Sequence, residues 1–126
     1  MKSAQTPLHK VQGLGASHSG TGHFWRERVT SVALIPLSLW FAYAMLGLAG
    51  TTEVAMLQFL AHPWNALLMA AFVAISLYHA GLGLQVVIDD YVHTAGSKIS
   101  LLILVRAFVW VLIGICWFAL IRIASV

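Results

Sequence analysis

Charge is what the sequence most lacks. Only 9% of its 126 residues are Asp, Glu, Lys or Arg, whereas 60% are hydrophobic. Soluble domains carry about 25% charged residues. A chain with so few charges cannot cover a globular surface with polar groups, so its apolar faces must lie in lipid or against partner chains. The composition therefore predicts an integral membrane protein, and the length leaves room for one domain.

Cysteine and clustered basic residues are scarce as well. The single cysteine, Cys116, lies in an apolar run and has no second cysteine with which to form a disulfide, so we assign it to packing. The seven Lys and Arg residues are scattered and leave a net charge of only +3. Nucleic-acid-binding domains carry a concentrated basic patch instead, so we expect no nucleic-acid partner.

Apolar runs long enough to cross a membrane occur three times along the chain. They predict spans at about residues 29–50, 64–88 and 99–121, with a short interfacial helix at 54–61 and Pro63 in the first turn of the second span. The predicted fold class is an all-α integral membrane protein with three transmembrane helices. Residues 1–28 form an N-terminal segment, and residues 29–126 form the transmembrane anchor domain.

The distribution of basic residues predicts the orientation of these spans. Four basic residues precede the first span and one lies in the second connection, whereas residues 50–63 contain neither Lys nor Arg. Loops rich in Lys and Arg stay in the cytoplasm. The N-terminus and the second connection are therefore predicted to be cytoplasmic.

One histidine, His79, lies deep in the second span. It stands about ten residues before the cytoplasmic end, roughly 15 Å deep at 1.5 Å per residue. An ionisable group at such depth is a candidate functional residue. Gly81 and Gly83 would let a flat group approach the helix, and a haem needs a nitrogen ligand, a groove of small residues and apolar walls. The alternative is a neutral imidazole that is hydrogen-bonded to a neighbouring helix.

The haem hypothesis carries a constraint on its ligands. No other histidine lies at membrane depth, because His62 is near the far interface and the remaining ones are outside the spans. A site with two imidazole ligands would therefore take its second ligand from another chain.

The cytoplasmic end of the second span carries Asp89, Asp90 and Tyr91. Acidic residues at a helix C-terminus oppose the helix dipole, so two adjacent ones are unexpected for stability alone. Tyr91 could donate a hydrogen bond to a quinone carbonyl, and a nearby carboxylate could relay protons. The alternative is an interfacial tyrosine beside solvated acids, and the residues leave open which of the two aspartates matters.

Two arginines precede the first span, and one lies inside the third. Arg26 and Arg28 are either a basic cytoplasmic flank or ligands for a carboxylate of a bound group, since Arg binds carboxylates through two parallel hydrogen bonds. Glu27 is expected to pair with one of them. Arg106 is expected to be structural, either extending toward the interface or pairing with an acid such as Asp90.

These features together resemble the smaller hydrophobic membrane-anchor subunit of succinate dehydrogenase (respiratory complex II) of the alpha-proteobacterial and mitochondrial type. The resemblance covers nearly the whole chain. It is carried by "SGTGHFWRERVTSVALIPLSLWF" before and within the first span, by "YHAGLGLQVVIDDYVH" at the end of the second, and by three helices with a cytoplasmic N-terminus. The spacing from the histidine to Asp-Tyr is its most specific element.

The resemblance implies a role for particular residues. His79 would be an axial ligand of haem b, whose other ligand comes from the companion cytochrome b subunit. Tyr91 would contact ubiquinone, with Asp90 as its neighbour. Arg28 matches the arginine that lies near the haem propionates and the quinone pocket, and Arg26 and His23 match this region less securely because the spacing there varies.

The resemblance also implies partners and a location. A flavoprotein subunit would oxidise succinate, an iron–sulfur subunit would carry the electrons, and ubiquinone would be reduced at the cytoplasmic face of a bacterial inner membrane. This chain has no flavin motif and no cysteine cluster, so it would not oxidise succinate itself. It would supply the docking surface, and lipid would surround it.

Two other functions remain open at the level of sequence. The first is a haem-free tether of the fumarate-reductase type, in which His79 and Tyr91 are packing and interfacial residues. The second is a small transporter or channel subunit, in which His79 and Arg106 line a polar path. That second class should show further polar residues along the helix faces, and the first and third spans offer few.

Overall fold

A computed structural model describes residues 18–125, which form four helices: α1 (His18–Leu48), α2 (Glu53–Ala61), α3 (Pro63–Tyr91) and α4 (Ala95–Ala124). Helices α1, α3 and α4 are long and apolar enough to cross a membrane. The three predicted spans and the short helix between the first two are therefore confirmed. Each long helix extends beyond its predicted span, and α1 begins inside the segment 1–28.

Local sequence explains where the helices around the first connection begin and end. Gly50, just after α1, has a φ of 77°, a conformation that side chains with a Cβ rarely adopt. Thr52 caps α2, because its hydroxyl accepts a hydrogen bond from the backbone N–H of Ala55 at 3.3 Å. His62 is extended, as the residue before a proline tends to be, and Pro63 opens α3 as predicted.

Helix α3 is the centre of the fold because it packs against both α1 and α4, while α2 packs against α3 and α4. Few side chains are buried within the described part of the chain, and none of them is polar: Ala44, Leu82, Ile88, Val109 and Ile113. Most large apolar side chains face outward. An outward apolar surface on long helices suits lipid or a partner subunit.

Candidate functional site

A polar contact inside the helix bundle joins α1 to α3. Thr30 Oγ1 of α1 lies 2.8 Å from His79 Nδ1 of α3. Farther along the same two helices, the rings of Phe41 and Phe72 stack with centroids 4.5 Å apart. Residue numbers rise along α1 and fall along α3 between these contacts, so the two helices are antiparallel. The start of α1 and the end of α3 therefore lie on the same side of the bundle.

His79 stands farther from its helix end than the sequence indicated. Tyr91 ends α3, so His79 lies roughly 18 Å from that end at 1.5 Å per residue. Both His79 and Thr30 are half-buried. The ring is hydrogen-bonded to a neighbouring helix through Nδ1, as the packing alternative expected, but Nε2 makes no hydrogen bond within residues 18–125. Nδ1 is thus hydrogen-bonded within the protein, whereas Nε2 can bind another group.

The two glycines that follow His79 have different surroundings, which corrects one expectation. A Cβ at Gly81 would lie 2.9 Å from Val109 Cγ2 of α4, so Gly81 serves the close packing of α3 on α4. At about 100° per residue it lies roughly 200° from His79, on the opposite side of the helix. A Cβ at Gly83 would meet nothing within 4 Å. Gly83, about 40° from His79, is the glycine that keeps its face open.

The two arginines lie inside α1 and not where the helix opens, because α1 begins at His18. Arg26 Nε donates a hydrogen bond to the Gly22 carbonyl at 3.1 Å, and the Arg28 guanidinium lies 4.8 Å from the centroid of the Phe24 ring. Arg28 is two residues from Thr30, which corresponds to about 3 Å along the helix axis. The arginines are therefore closer in depth to His79 than to the end of α3.

The expected pairing of Glu27 with an arginine is not observed in the described part of the chain, where the single ion pair joins Lys98 to Asp89. Near the start of α1, His23 is half-buried, and its Nε2 is buried without a hydrogen-bond partner among residues 18–125. Buried polar atoms are normally satisfied. A further group that forms a hydrogen bond with this nitrogen would therefore satisfy it.

The two adjacent aspartates at the end of α3 differ in their surroundings. Asp89 Oδ1 lies 2.8 Å from Lys98 Nζ in the first turn of α4. An acid at a helix C-terminus and a base at a helix N-terminus are each unfavourable toward the helix dipole, and pairing offsets both. Asp90 and Tyr91 are exposed and have no hydrogen-bonding or ionic partner within the described residues. At about 20° from the direction of His79, Asp90 lies on the same face of α3.

Arg106 contacts an amide side chain of α3. Its Nη2 lies 3.4 Å from Gln85 Oε1, so the alternative in which Arg106 pairs with Asp90 is not observed among the described residues. Gln85 lies about 120° around α3 from His79. His79 is turned toward α1 and Arg106 toward the other side of α3, so the two do not line one polar path, as a transporter or channel subunit would need.

The fold therefore brings some of the predicted site residues together and separates others. His79, Arg26 and Arg28 lie within a few ångströms of one another in depth, while Asp90 and Tyr91 lie at the end of α3. The residue that sequence reasoning missed is Thr30, the hydrogen-bonding partner of His79. Residues 18–125 contain no group of three or more His, Cys, Asp or Glu side chains that could hold a metal ion.

Comparison with known proteins identifies related chains. The family described as "Succinate dehydrogenase/Fumarate reductase transmembrane subunit" matches residues 2–121. The succinate dehydrogenase hydrophobic membrane anchor subunit of Paracoccus denitrificans is 32% identical over 93% of this chain and 90% of its own length. That of Rickettsia conorii is 36% identical over 79% of each chain. The succinate dehydrogenase membrane anchor subunit of Reclinomonas americana is 28% identical over 70% of this chain and 76% of its own. No solved structure gives a significant match.

Proposed function

The chain belongs to the succinate dehydrogenase/fumarate reductase transmembrane subunit family, and on this basis we propose that it anchors a succinate dehydrogenase in the membrane. Within that complex it shares a haem b with a companion subunit and forms part of the site of ubiquinone reduction. The observation that carries the haem assignment is His79, which is held through Nδ1 while Nε2 has no hydrogen-bonding partner within residues 18–125.

His79 would hold the iron of haem b through Nε2, and the companion cytochrome b subunit would supply a second ligand. Two observations support this assignment: an imidazole nitrogen inside an apolar helix that has no hydrogen-bonding partner within residues 18–125, and an open face at Gly83. A single ligand on this chain suits a haem that lies between two subunits. A bound haem would supply one-electron exchange at this depth.

We assign the binding of the haem propionates to Arg28, Arg26 and His23. Haem propionates are carboxylates, and the guanidinium group binds carboxylates with charge-assisted hydrogen bonds. The depth of the two arginines relative to His79 supports a contact with the propionates more than one with a quinone at the end of α3. The buried Nε2 of His23, which has no hydrogen-bonding partner within residues 18–125, supports its inclusion, because a carboxylate or a quinone oxygen would satisfy it.

Asp90 and Tyr91 form part of the quinone site at the end of α3. The Tyr91 hydroxyl donates a hydrogen bond to a quinone carbonyl, which orients the ring and stabilises the negative charge that develops on that oxygen. Reduction of a quinone consumes two electrons and two protons; the iron–sulfur subunit delivers the electrons. Asp90, exposed and unpaired within the described residues, takes protons from water and passes them toward the quinone oxygen.

The proposed orientation places the N-terminus and the connection between α3 and α4 in the cytoplasm of a bacterium, with the three long helices in its inner membrane. Basic residues on that side support it. The start of α1 and the end of α3 then face the iron–sulfur subunit, which carries the flavoprotein. The outward apolar surface packs against the companion cytochrome b subunit and lipid.

The haem assignment is tested by a reduced-minus-oxidised optical spectrum of the complex purified with its native partners. Wild type, His79→Ala and a control, His93→Ala, would be compared. His93 is an exposed histidine in the short connection after α3, so its loss removes an imidazole without touching α1 or α3 packing. We expect a b-type band in the wild type and in His93→Ala that is lost or shifted in His79→Ala.

Two results would contradict the assignment. A spectrum of His79→Ala identical to that of the wild type would make His79 a packing residue. A wild-type complex with no b-type band would leave the haem-free tether as the function of the chain.

The quinone assignment is tested by Asp90→Asn beside Asp89→Asn. The first change removes the free carboxylate, and the second removes the one already paired with Lys98. Proton transfer by a positioned side chain typically contributes about a hundredfold or more. We therefore expect Asp90→Asn to lower quinone reduction at least about tenfold while succinate oxidation by a soluble dye persists. An equal loss in both assays, or a larger loss in Asp89→Asn, would refute this role.

A further inference from the structure

The hydroxyl group of Thr30 has three polar neighbours and only one proton. Its Oγ1 lies 2.7 Å from the Arg26 carbonyl oxygen, 3.0 Å from the Glu27 carbonyl oxygen and 2.8 Å from His79 Nδ1. The two carbonyl oxygens can only accept hydrogen bonds. The imidazole nitrogen can do either, depending on its tautomer, so the protons of the network decide which tautomer the site stabilises.

Counting these protons favours one arrangement. If the hydroxyl proton points at the Arg26 carbonyl, the shortest of the three contacts, then Oγ1 presents a lone pair to His79 and Nδ1 must carry the hydrogen. If the proton points at Nδ1 instead, Oγ1 faces two carbonyl oxygens at 2.7 and 3.0 Å with no proton between them. Oxygen atoms that close repel one another unless a hydrogen lies between them. The first arrangement leaves only the longer of these two oxygen contacts, that to the Glu27 carbonyl, without a proton, whereas the second leaves both without one.

We propose that Thr30 is a positioning residue that holds His79 as its Nδ1–H tautomer and thereby directs the Nε2 lone pair toward the haem iron. The proposal rests on the haem ligation proposed above and adds the residue that makes it possible. A metal-binding imidazole must present an unprotonated nitrogen, and the hydrogen bond on its other nitrogen determines which one that is. That bond also fixes the plane of the ring and raises the basicity of the ligand.

The same hydroxyl couples His79 to the turn of α1 that carries the arginines. Thr30 donates to the carbonyl of Arg26, four residues earlier, so one oxygen atom links the imidazole ring to that turn. A change at Thr30 therefore alters the orientation and tautomer of the His79 ring without removing any group that would touch haem.

The next residue supplies a matched control. Ser31 Oγ donates to the Glu27 carbonyl at 2.7 Å, the same bond to the fourth preceding residue that Thr30 makes. Ser31 is exposed and makes no hydrogen bond with His79. Ser31→Ala therefore removes the same kind of hydrogen bond from a hydroxyl to a backbone carbonyl of α1, but it leaves the hydrogen bond between Thr30 and His79 in place.

The test compares Thr30→Val, Thr30→Ser and Ser31→Ala in the purified complex. Valine keeps the shape and β-branching of threonine and removes only its hydrogen-bonding capacity, whereas serine keeps the hydroxyl. The measurements are the amount of haem retained per complex, the EPR spectrum of the oxidised haem, which reports the plane of its axial ligands, and the haem midpoint potential.

In Thr30→Val we expect haem affinity to fall about tenfold, toward the lower end of what the loss of such a partner costs, because a hydroxyl is a neutral acceptor. The EPR spectrum should broaden or shift as the ring loses its fixed plane. The midpoint potential should move to more positive values, because a less basic imidazole stabilises ferric iron less. Thr30→Ser and Ser31→Ala should match the wild type in all three measurements.

Three outcomes separate this proposal from the one on which it rests. If the wild type shows a His79-dependent haem and Thr30→Val leaves its affinity, EPR spectrum and potential unchanged, the positioning role is wrong and the ligation stands. The positioning role is also wrong if Thr30→Ser is as impaired as Thr30→Val, because serine keeps the hydroxyl and loss of its hydrogen bond could not explain both defects. If His79→Ala leaves the wild-type spectrum unchanged, haem ligation itself fails, and the role of Thr30 fails with it.

Discussion

The two interfaces of α3 differ in kind. Toward α4, α3 packs Gly81 closely against Val109, and two hydrogen bonds join the helices, from Arg106 to the Gln85 side chain and from Trp117 Nε1 to the Ala70 carbonyl oxygen. Toward α1, the contacts include the hydrogen bond between the Thr30 hydroxyl and the His79 imidazole and one stacked aromatic pair. Among residues 18–125, four of the five buried hydrophobic side chains belong to α3 or α4 and one, Ala44, to α1.

One side of α3 therefore supports the fold by packing on α4, and the side that faces α1 carries the candidate ligand His79. In a membrane, lipid is as apolar as the side chains, so helices associate through close van der Waals packing and hydrogen bonds. The α3–α4 hairpin uses both and has only a three-residue connection, which makes it a rigid support. At the α1–α3 interface, one ring nitrogen of His79 is hydrogen-bonded to Thr30, and the other has no hydrogen-bonding partner within residues 18–125 and remains available to a bound group.

The largest effect is expected from filling the space at Gly81. In Gly81→Ala, the new Cβ would lie 2.9 Å from a methyl group of Val109, whose β-branched side chain cannot easily rotate away. Overpacking of this kind typically costs about 1–3 kcal/mol. The measurement is the midpoint temperature of thermal unfolding of the detergent-solubilised complex.

Gly114→Ala, in the α4 helix of the same hairpin, is the matched control, because its Cβ would meet nothing within 4 Å. It should unfold at the wild-type temperature or slightly above, since alanine is favoured over glycine in a helix by up to about 1 kcal/mol. Equal destabilisation by both changes would show that the α3–α4 interface is not the close-packed one.

A smaller effect is expected where α1 meets α3. Phe72→Leu removes the stacking on Phe41 and should cost about 0.5–1.5 kcal/mol beyond the lost area. Because the same interface positions His79, we expect Phe72→Leu to lower haem retention as well. Thermal unfolding and the haem content per complex are the two measurements.

Phe108→Leu provides the comparison for this variant. Phe108 of α4 is 59% exposed and does not stack on another ring of the described residues. It should change neither haem content nor the interface between α1 and α3. A loss of haem in Phe108→Leu as large as that in Phe72→Leu would mean that the two interfaces are not separate in function.

The smallest effect is expected from the ion pair that closes the hairpin. The Lys98 and Asp89 side chains are 34% and 51% exposed, and ion pairs exposed to this degree typically contribute between zero and about 1 kcal/mol. Lys98→Met should therefore lower the unfolding temperature only slightly, and added salt should reduce the difference. Lys98→Arg keeps the charge and should behave as wild type. A salt-independent loss in Lys98→Met would assign the effect to packing.

The sequence predicted the existence and order of the helices because long apolar runs are required to cross a membrane and Pro63 marks a helix start. It placed the start of the first helix too late, since hydropathy detects the apolar core of a helix and not the polar turns that precede it. That error put Thr30 at the membrane surface, far in depth from His79. With α1 beginning at His18, the two residues lie at one level.

Neighbouring residues in the sequence also took different roles that spacing could not separate. Gly81 and Gly83 are two positions apart, yet one contacts α4 and the other remains open. Asp89 and Asp90 are adjacent, yet one pairs with Lys98 and the other does not. In each case a step of one or two residues turns the side chain through 100° or 200°, and which neighbour it then meets depends on how the helices pack.

By itself the sequence determined that this protein lies in a membrane, that it has three spans, and that one histidine stands at membrane depth. Composition and the length of apolar runs are sufficient for this, because the hydrocarbon layer imposes the same requirement on every chain. Tertiary structure alone decided which nitrogen of His79 is hydrogen-bonded, which aspartate has no ionic partner within residues 18–125, and which glycine contacts another helix. Those outcomes depend on contacts between side chains far apart in the sequence, such as Thr30 and His79, and packing of the helices is what brings them within hydrogen-bonding distance.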